Sequence, residues 1–149
     1  YLLVCMPKLK SKRRTTVSSK PRKKRQITKS AAFWDRLSRQ EPNNAEMTLF
    51  GIMCYLDLPY RYTGNGQFIL MGCAPDFVRL SGRKIVEMYG ERWHRPEEEQ
   101  SRITLFARSD YQTLIVWSKE LAPKNRKALY HKLLMFEALP ELVREINSE

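Results

Sequence analysis

Apolar residues recur three or four positions apart in four segments of the chain, which is the spacing of an amphipathic helix. The pattern predicts helices over residues 31–40, 43–56 and 96–109, and from residue 123 onwards. Asn43 or Asn44 can cap the second helix, because a short side-chain oxygen accepts the free amide hydrogens of a first turn. Pro96 and Pro123 suit the first turns of the last two helices, where the backbone amide hydrogen has no partner within the helix.

Short runs rich in β-branched and aromatic residues predict strands over residues 60–62, 67–71, 76–80, 84–89 and 112–117. The turn Thr63-Gly64-Asn65-Gly66 is expected to join the first two strands as a hairpin, and Ser81-Gly82-Arg83 to join the next two. After the first helix, the order is helix, hairpin, hairpin, helix, strand, helix. This order predicts one α/β domain, a mixed β-sheet flanked by helices.

The excess positive charge is concentrated at the start of the chain. The 149 residues carry a formal net charge of +11, and residues 1–30 hold 11 Lys and Arg and no acid. Residues 31–149 are balanced, with 16 basic and 16 acidic side chains. The sequence therefore predicts a basic arm or linker, residues 1–30, and one catalytic domain, residues 31–149. Such an arm suits a phosphate backbone, from which it releases counterions, and a solubilising or targeting tail is the alternative.

The number and spacing of the cysteines and the lengths of the apolar runs indicate in which cellular compartment the protein works. Cys5, Cys54 and Cys73 are far apart and form no CxxC pair, and the chain has two histidines. No structural zinc and no disulfide framework are expected, and a cytoplasmic location is predicted. No apolar run approaches the roughly 18 residues that cross a bilayer, so no membrane partner is expected. Because the chain begins with Tyr1, an upstream segment is expected to be missing.

Residues 76–99 concentrate groups that bind metals or transfer protons, among them Asp76, Glu87 and His94. Hydrolysis of a phosphodiester needs a carboxylate to hold Mg²⁺ against the phosphate and a base to activate water. Each residue type also has a structural interpretation. An Asp that starts a strand is often a turn former, a Glu can be a surface charge on an edge strand, and a His beside a Trp is often structural.

Five ordered blocks favour the catalytic interpretation. They are Ala74-Pro75-Asp76-Phe77-Val78, Lys84-Ile85-Val86-Glu87-Met88-Tyr89-Gly90, Trp93-His94, Glu99-x-x-Arg102 and Tyr111-Gln112-Thr113-Leu114-Ile115-Val116-Trp117. Over residues 45–121 the chain resembles the very-short-patch repair endonuclease family, and in particular the related phage homing endonucleases described by the motif EDxHD. The resemblance implies a PD-(D/E)xK core like that of restriction endonucleases, and a Mg²⁺-dependent DNA endonuclease.

The resemblance also implies a role for individual residues of this chain. Asp76 is expected to bind Mg²⁺, and His94 to act as the general base or to orient the attacking water. Glu46, from the preceding helix, is expected to hold a water beside the metal. Met88 falls on the variable position of the motif, which offers its backbone carbonyl to the metal. Glu99 falls on the last acidic position, where the family usually has Asp, and is expected to pair with His94.

Glu87 is the rival metal ligand. Pro75-Asp76 followed by Glu87-Met88-Tyr89 almost satisfies the PD-(D/E)xK motif, with Tyr89 in place of the lysine. Side chains alternate along a strand, so Glu87 and Met88 are expected on opposite faces, and only one of them is expected to be directed at Asp76. The Met88 carbonyl is the favoured ligand, and the Glu87 carboxylate stays open.

The expected DNA contacts lie in the basic arm and beside the histidine; they are Lys20, Arg22, Lys23, Lys24, Arg25, Arg92, Trp93 and Arg95. Mismatch-repair members of the family carry a structural zinc and place two aromatic residues just before the histidine. Here that pair is Arg92-Trp93, and no cysteine is placed for zinc. Cleavage of an intact duplex during intron homing is therefore favoured over nicking at mismatches, and a DNA-binding module that has lost activity is the third hypothesis.

The last expectations concern assembly. One site per domain means that cutting both strands of double-stranded DNA needs two copies on the DNA, such as a dimer, or two successive nicks. The missing upstream segment is expected to supply most of the sequence recognition. If the protein is phage-encoded, its expected location is the cytoplasm of the bacterial host.

Overall fold

The computed structural model describes residues 29–141. In chain order the helices and strands are α1 (Lys29–Ser38), α2 (Asn44–Tyr55), β1 (Tyr60–Tyr62), β2 (Phe77–Arg79), β3 (Lys84–Tyr89), α3 (Pro96–Ala107), β4 (Gln112–Trp117) and α4 (Arg126–Ala138). Two 3₁₀ turns, Ser118–Leu121 and Pro123–Asn125, precede α4. Five of the predicted DNA contacts lie outside the described residues: Lys20, Arg22, Lys23, Lys24 and Arg25.

The four strands form one mixed sheet in the order β1-β2-β3-β4. Strand β2 pairs antiparallel with both of its neighbours, whereas β3 and β4 are parallel. A parallel pair needs a crossover connection, and α3 provides it between β3 and β4. The mixed sheet flanked by helices that the sequence pattern predicts is therefore confirmed.

The predicted pairing of residues 60–62 with residues 67–71 is wrong. Strand β1 pairs with β2, so that Tyr60 lies opposite Arg79 and Tyr62 opposite Phe77. Residues 67–71 form no strand, and the connection to β2 contains an isolated bridge between Leu70 and Cys73. The turn residues Thr63 to Gly66 thus begin a long connection and do not close a hairpin.

Long-range packing explains this difference. The rings of Tyr62 and Phe77 meet edge to face with centroids 5.7 Å apart. The Glu137 carboxylate on α4 accepts a hydrogen bond from the Tyr60 hydroxyl at 3.0 Å and from Arg79 Nε at 2.6 Å. These contacts join β1 to β2 through a helix that lies far along the chain, and a local hydrophobic pattern carries no information about such partners.

Strand β3 runs through the centre of the core. All six of its residues are buried, as is typical of a strand covered by helices on both faces. On one face it packs against α2 and α4 in a cluster that includes Val86, Met88, Leu49, Leu129 and Phe136. On the other face Ile85 packs against Phe106 of α3. Within residues 29–141 no helix combines the length and the apolar character that a membrane crossing requires.

Candidate functional site

A cleft of about 1000 Å³ opens where the end of β3 and the start of β2 meet the first turns of α2 and α3. We call it the central cleft, and the polar groups in its walls include Glu46, Asp76, Glu87, Met88, His94 and Arg102. The fold thus brings together four of the predicted site residues, Glu46, Asp76, Met88 and His94, from separate parts of the chain. The rival ligand Glu87 lies in the same wall.

Asp76 lies immediately before β2. Its side chain bonds to the backbone of β3, as the backbone of β2 does further along the ladder. The last backbone pair of the antiparallel ladder joins Phe77 and Val86. One step further, Oδ2 of Asp76 accepts the Met88 amide hydrogen at 2.8 Å. Burial raises the pKa of the Asp76 carboxyl to about 7; the Met88 amide opposes the rise, Glu46 adds to it, and Arg102 opposes it. A desolvated carboxylate of this kind gains from any cation placed beside it.

The backbone of Met88 is directed at Asp76, while its side chain lies in the core. The amide and carbonyl groups of one strand residue point to the same side of the strand. Because the Met88 amide hydrogen points past the end of β2 to Asp76, the Met88 carbonyl points in that direction as well. This geometry makes the carbonyl available as a metal ligand, the role that the resemblance implies.

The Glu87 side chain lies on the same face of the sheet as Asp76. The register that pairs Phe77 with Val86 places Asp76 opposite Glu87. Glu87 is 3% exposed. Burial raises the pKa of its carboxyl to about 8, the Asp76 charge adds to the rise, and Arg102 opposes it. The expectation that only one of Glu87 and Met88 can be directed at Asp76 is wrong. Glu87 faces Asp76 with its side chain, and Met88 faces it with its backbone.

Glu46 is held in the cleft by the cap of α2. The Asn43 side chain accepts the amide hydrogens of Ala45 and Glu46, and Glu46 Oε2 accepts the Asn43 amide hydrogen at 2.8 Å. This reciprocal pair is a capping box, which is a structural reason for a Glu at this position. Burial raises the pKa of the Tyr62 phenol, and the charges of Glu46 and Asp76 add to the rise. Tyr62 is a neighbour of the site that no feature of the sequence indicated.

His94 is fixed by contacts to its face and to its edge. Its ring stacks on Tyr89 with centroids 3.9 Å apart and an interplanar angle of 13°. Its Nδ1 lies 3.1 Å from Glu98 Oε2, and its amide hydrogen bonds to the Gly90 carbonyl. In the tautomer whose Nδ1–H donates a hydrogen bond to the Glu98 carboxylate, Nε2 is the acceptor that a general base needs.

Glu99 does not make the expected pair with His94. Its Oε1 accepts the indole hydrogen of Trp117 on β4, and the carboxylate beside His94 belongs to Glu98. Glu99 borders a second cavity of about 580 Å³, which His94 also lines from its other side. Successive helical residues point about 100° apart, so the rotation of α3 decides which of its first acids faces the histidine. The spacing of four residues between His94 and Glu98 was the available signal.

The residues expected to contact DNA near His94 lie at the rim of the central cleft or beside it. Trp93 is 80% exposed, and Trp93 and Arg92 both line the cleft. Arg95 is exposed just before α3 and lies outside the residues that line the cleft. Arg102 lines the cleft from α3, although the sequence analysis assigned it no role. The rim therefore presents cationic and aromatic groups above an acidic floor.

The donor atoms suit a hard cation. Mg²⁺ is usually bound through one or two carboxylates, while water and substrate phosphates complete its coordination. The buried Asp76 carboxylate and the Met88 carbonyl edge provide such a set, with Glu87 on the same face. In the part of the chain that the structure describes, no group of three or more His, Cys, Asp or Glu side chains converges as a metal cage. The geometry therefore fits a cation that shares its coordination with water and substrate.

No protein-family model matches the chain, and no curated protein matches it. Among solved structures, the chain is similar to a "Homing Endonuclease I-Bth0305I Catalytic Domain", with a TM-score of 0.49 and 13% sequence identity. The similarity covers 64% of this chain and 94% of that chain.

Proposed function

We propose that this protein is a Mg²⁺-dependent DNA endonuclease with a PD-(D/E)xK core, and that the domain is the catalytic part of a homing endonuclease. The observation that carries the proposal is that Glu46, Asp76 and His94 line one open cleft. A carboxylate that can hold a metal and an imidazole that can accept a proton are the groups that phosphodiester hydrolysis needs. Their origin in three separate segments favours a functional assembly over a local structural motif.

The charges around the cleft support a polyanionic substrate. Arg92 and Arg102 line the cleft, and the exposed indole of Trp93 can stack on a base. The basic arm, residues 1–30, adds 11 cations that would follow a phosphate backbone. A cleft about 1000 Å³ in volume and open to solvent admits a backbone segment of a duplex. These features favour DNA over a small neutral substrate.

Each residue of the cleft has a role in the proposed hydrolysis. Asp76 and the Met88 carbonyl would hold Mg²⁺, which when bound supplies electrostatic stabilisation of charge on the phosphate. His94 takes a proton from the attacking water, or orients it, through Nε2. Glu98 holds Nδ1 of the imidazole and stabilises the protonated ring.

The two remaining acids act from the sides of the site. Glu46 bonds to the Asn43 amide through Oε2, and we propose that its carboxylate also holds a water in the cleft. Glu99 is proposed to support the histidine from the side of the second cavity, where it bonds to Trp117. Sequence recognition by an upstream segment, and cutting of both strands by two copies or two successive nicks, belong to the same proposal.

Plasmid cleavage tests the proposed activity. Supercoiled plasmid is incubated with Mg²⁺ and the wild type, Asp76→Asn or His94→Ala. Matched controls are Asp57→Asn, in the loop after α2, and His131→Ala, exposed on α4. We expect nicked or linear product from the wild type and from both controls. We expect the two cleft variants to lose the product and to retain the gel-shift binding of DNA.

The other hypotheses predict different outcomes. A wild type that binds duplex but never cleaves it with Mg²⁺ or Mn²⁺ would be an inactive DNA-binding module. Faster nicking of a mismatched duplex than of a matched one would indicate repair and would contradict homing.

A further inference from the structure

Arg102 is the more buried of the two arginines that line the central cleft. Its Nη2 donates to both oxygens of Glu87, at 3.2 and 3.3 Å. Its guanidinium lies over the Phe106 ring, 4.6 Å from the centroid. The side chains of Arg102 and Glu87 are 22% and 4% exposed, so the pair is largely removed from solvent. A planar cation held at its edge and at its face has little rotational freedom.

The donors of Arg102 are only partly used. A guanidinium has five N–H donors, and the hydrogen bonds that Arg102 makes within residues 29–141 all come from Nη2. The buried Nε has no hydrogen-bond partner among the described residues. Nη1 makes no hydrogen bond within residues 29–141 either, and it is not fully buried, so its donors are the ones that a ligand can reach.

The acidic lining of the central cleft favours a cation beside the position of a bound phosphate. The cleft is lined by the carboxylates of Glu46, Asp76, Glu87, Glu91 and Glu98, and by the guanidinium groups of Arg92 and Arg102. Arg92 is exposed at the rim, whereas Arg102 is partly buried beside Glu87. A phosphate that approaches Asp76 would otherwise meet carboxylates that repel it.

We propose that Arg102 contacts the phosphate of the DNA backbone in the central cleft, and that Glu87 positions its guanidinium instead of binding the metal. The inference deepens the proposed function and rests on it, because the ligand is the substrate's own phosphate. Glu87 then acts through Arg102, and the cation site consists of Asp76 and the Met88 carbonyl. A bidentate guanidinium suits the geometry of phosphate oxygens.

The first measurement is the binding of a short DNA duplex in EDTA, titrated over a range of salt concentrations. Each phosphate contact contributes about 0.9 to the slope of log affinity against log salt concentration. We expect Arg102→Gln to reduce the slope by about that amount, and Arg102→Lys to retain it. The matched control is Arg108→Gln, an exposed arginine at the end of the same helix and outside the central cleft. It should leave the slope unchanged.

A double variant separates contact with phosphate from simple neutralisation of Glu87. Arg102→Gln alone leaves a buried carboxylate without its cation and can impair folding. Arg102→Gln combined with Glu87→Gln removes both charges, so we expect wild-type thermal stability with the reduced salt slope. A double variant with the wild-type slope would overturn the proposal, since Arg102 would then be only the counterion of Glu87.

Mg²⁺ binding measured by calorimetry tests the role of Glu87. We expect Glu87→Gln to leave the Kd for Mg²⁺ within about twofold of the wild type, and Asp76→Asn to raise it at least about tenfold. An equal rise in both variants would make Glu87 a ligand and overturn its positioning role.

The proposed function can fail separately from this inference. Duplex binding without cleavage would exclude the nuclease while the salt slope still decides the phosphate contact. A wild type that binds no duplex would exclude both.

Discussion

Nδ1 of His94 lies 3.1 Å from Oε2 of Glu98, which lies four residues further along the chain in the first turn of α3. The same imidazole stacks on Tyr89 at the end of β3. A strand residue thus supports the face of the ring, and a helix residue holds its edge. Because both elements belong to the folded core, the orientation of Nε2 is determined before a substrate arrives.

Glu98 is expected to matter more for activity than Glu99. A carboxylate that orients a functional histidine typically contributes about 10- to 100-fold. Glu98→Gln should therefore lower the cleavage rate by roughly that factor, because a neutral amide holds the Nδ1 edge of His94 less firmly than a carboxylate. Initial cleavage rates and the thermal midpoint of the variant test this expectation.

The neighbouring acid is the matched control for that experiment. Glu99→Gln removes a carboxylate from the same turn of α3, but one that bonds to Trp117. We expect a smaller loss of cleavage rate from Glu99→Gln than from Glu98→Gln. A larger effect from Glu99→Gln than from Glu98→Gln would contradict the assignment.

The structural and functional roles of Glu46 are separable. Gln can replace Glu in a capping box, so Glu46→Gln should keep the cap of α2 and the thermal midpoint. Asn43→Ala removes the cap and should cost about 1 kcal/mol, a loss of several degrees in the midpoint. Calorimetry should therefore find Asn43→Ala to be the less stable variant, whereas plasmid cleavage should find Glu46→Gln to be the less active one.

We expect Glu46→Gln to keep the thermal stability of the wild type and to lose most of its cleavage activity. Asn43→Ala should lose stability and retain more cleavage activity at low temperature. A Glu46→Gln variant that cleaves at the wild-type rate would assign Glu46 to the helix cap alone.

Asp76 and Glu87 are expected to destabilise the metal-free protein at neutral pH. Burial raises the pKa values of these carboxyls to about 7 and about 8, above those of the unfolded chain. The folded state therefore binds more protons than the unfolded state from about pH 4 to about pH 8, and the free energy of unfolding falls as pH rises through this range. Urea unfolding in EDTA at several pH values measures this slope.

The Asp76→Asn variant and Mg²⁺ provide the controls for the pH slope. Asp76→Asn removes one of the two buried carboxyls whose pKa is raised, so the slope should flatten and the metal-free protein should gain stability at pH 8. Mg²⁺ should stabilise the wild type at that pH and leave the variant nearly unchanged. Asp57→Asn should behave like the wild type. Stability that rises from pH 5 to pH 8 in EDTA would contradict the raised pKa values of these two buried carboxyls.

Trp93 is expected to contribute to DNA binding and not to stability. Its side chain is 80% exposed, and a surface substitution usually changes stability by less than about 0.5 kcal/mol. Stacking on a base is worth about 1 to 3 kcal/mol, so Trp93→Ala should weaken binding roughly tenfold. Tyr55→Ala is the matched control, because Tyr55 is an aromatic residue that is 77% exposed outside the cleft. Equal affinities of the two variants would exclude a stacking role.

The sequence alone determined the positions of the four main helices and of four of the five predicted strands, because these signals are local. The apolar spacing of α2, the cap at Asn43 and the prolines at the starts of α3 and the last 3₁₀ turn act within a few residues. The mixed α/β class follows from the order of these elements. The candidates Asp76 and His94 followed from residue types near strand ends and from the resemblance to a nuclease family.

The tertiary structure decided what depends on packing between elements. Glu137 of α4 bonds to residues of both β1 and β2, and the rotation of α3 against the sheet decides which of its acids faces His94. Strand register placed Glu87 on the face of Asp76, and packing of α3 brought Arg102 to Glu87. Local propensity cannot specify register or helix rotation, because both are chosen by the burial of side chains from the whole domain.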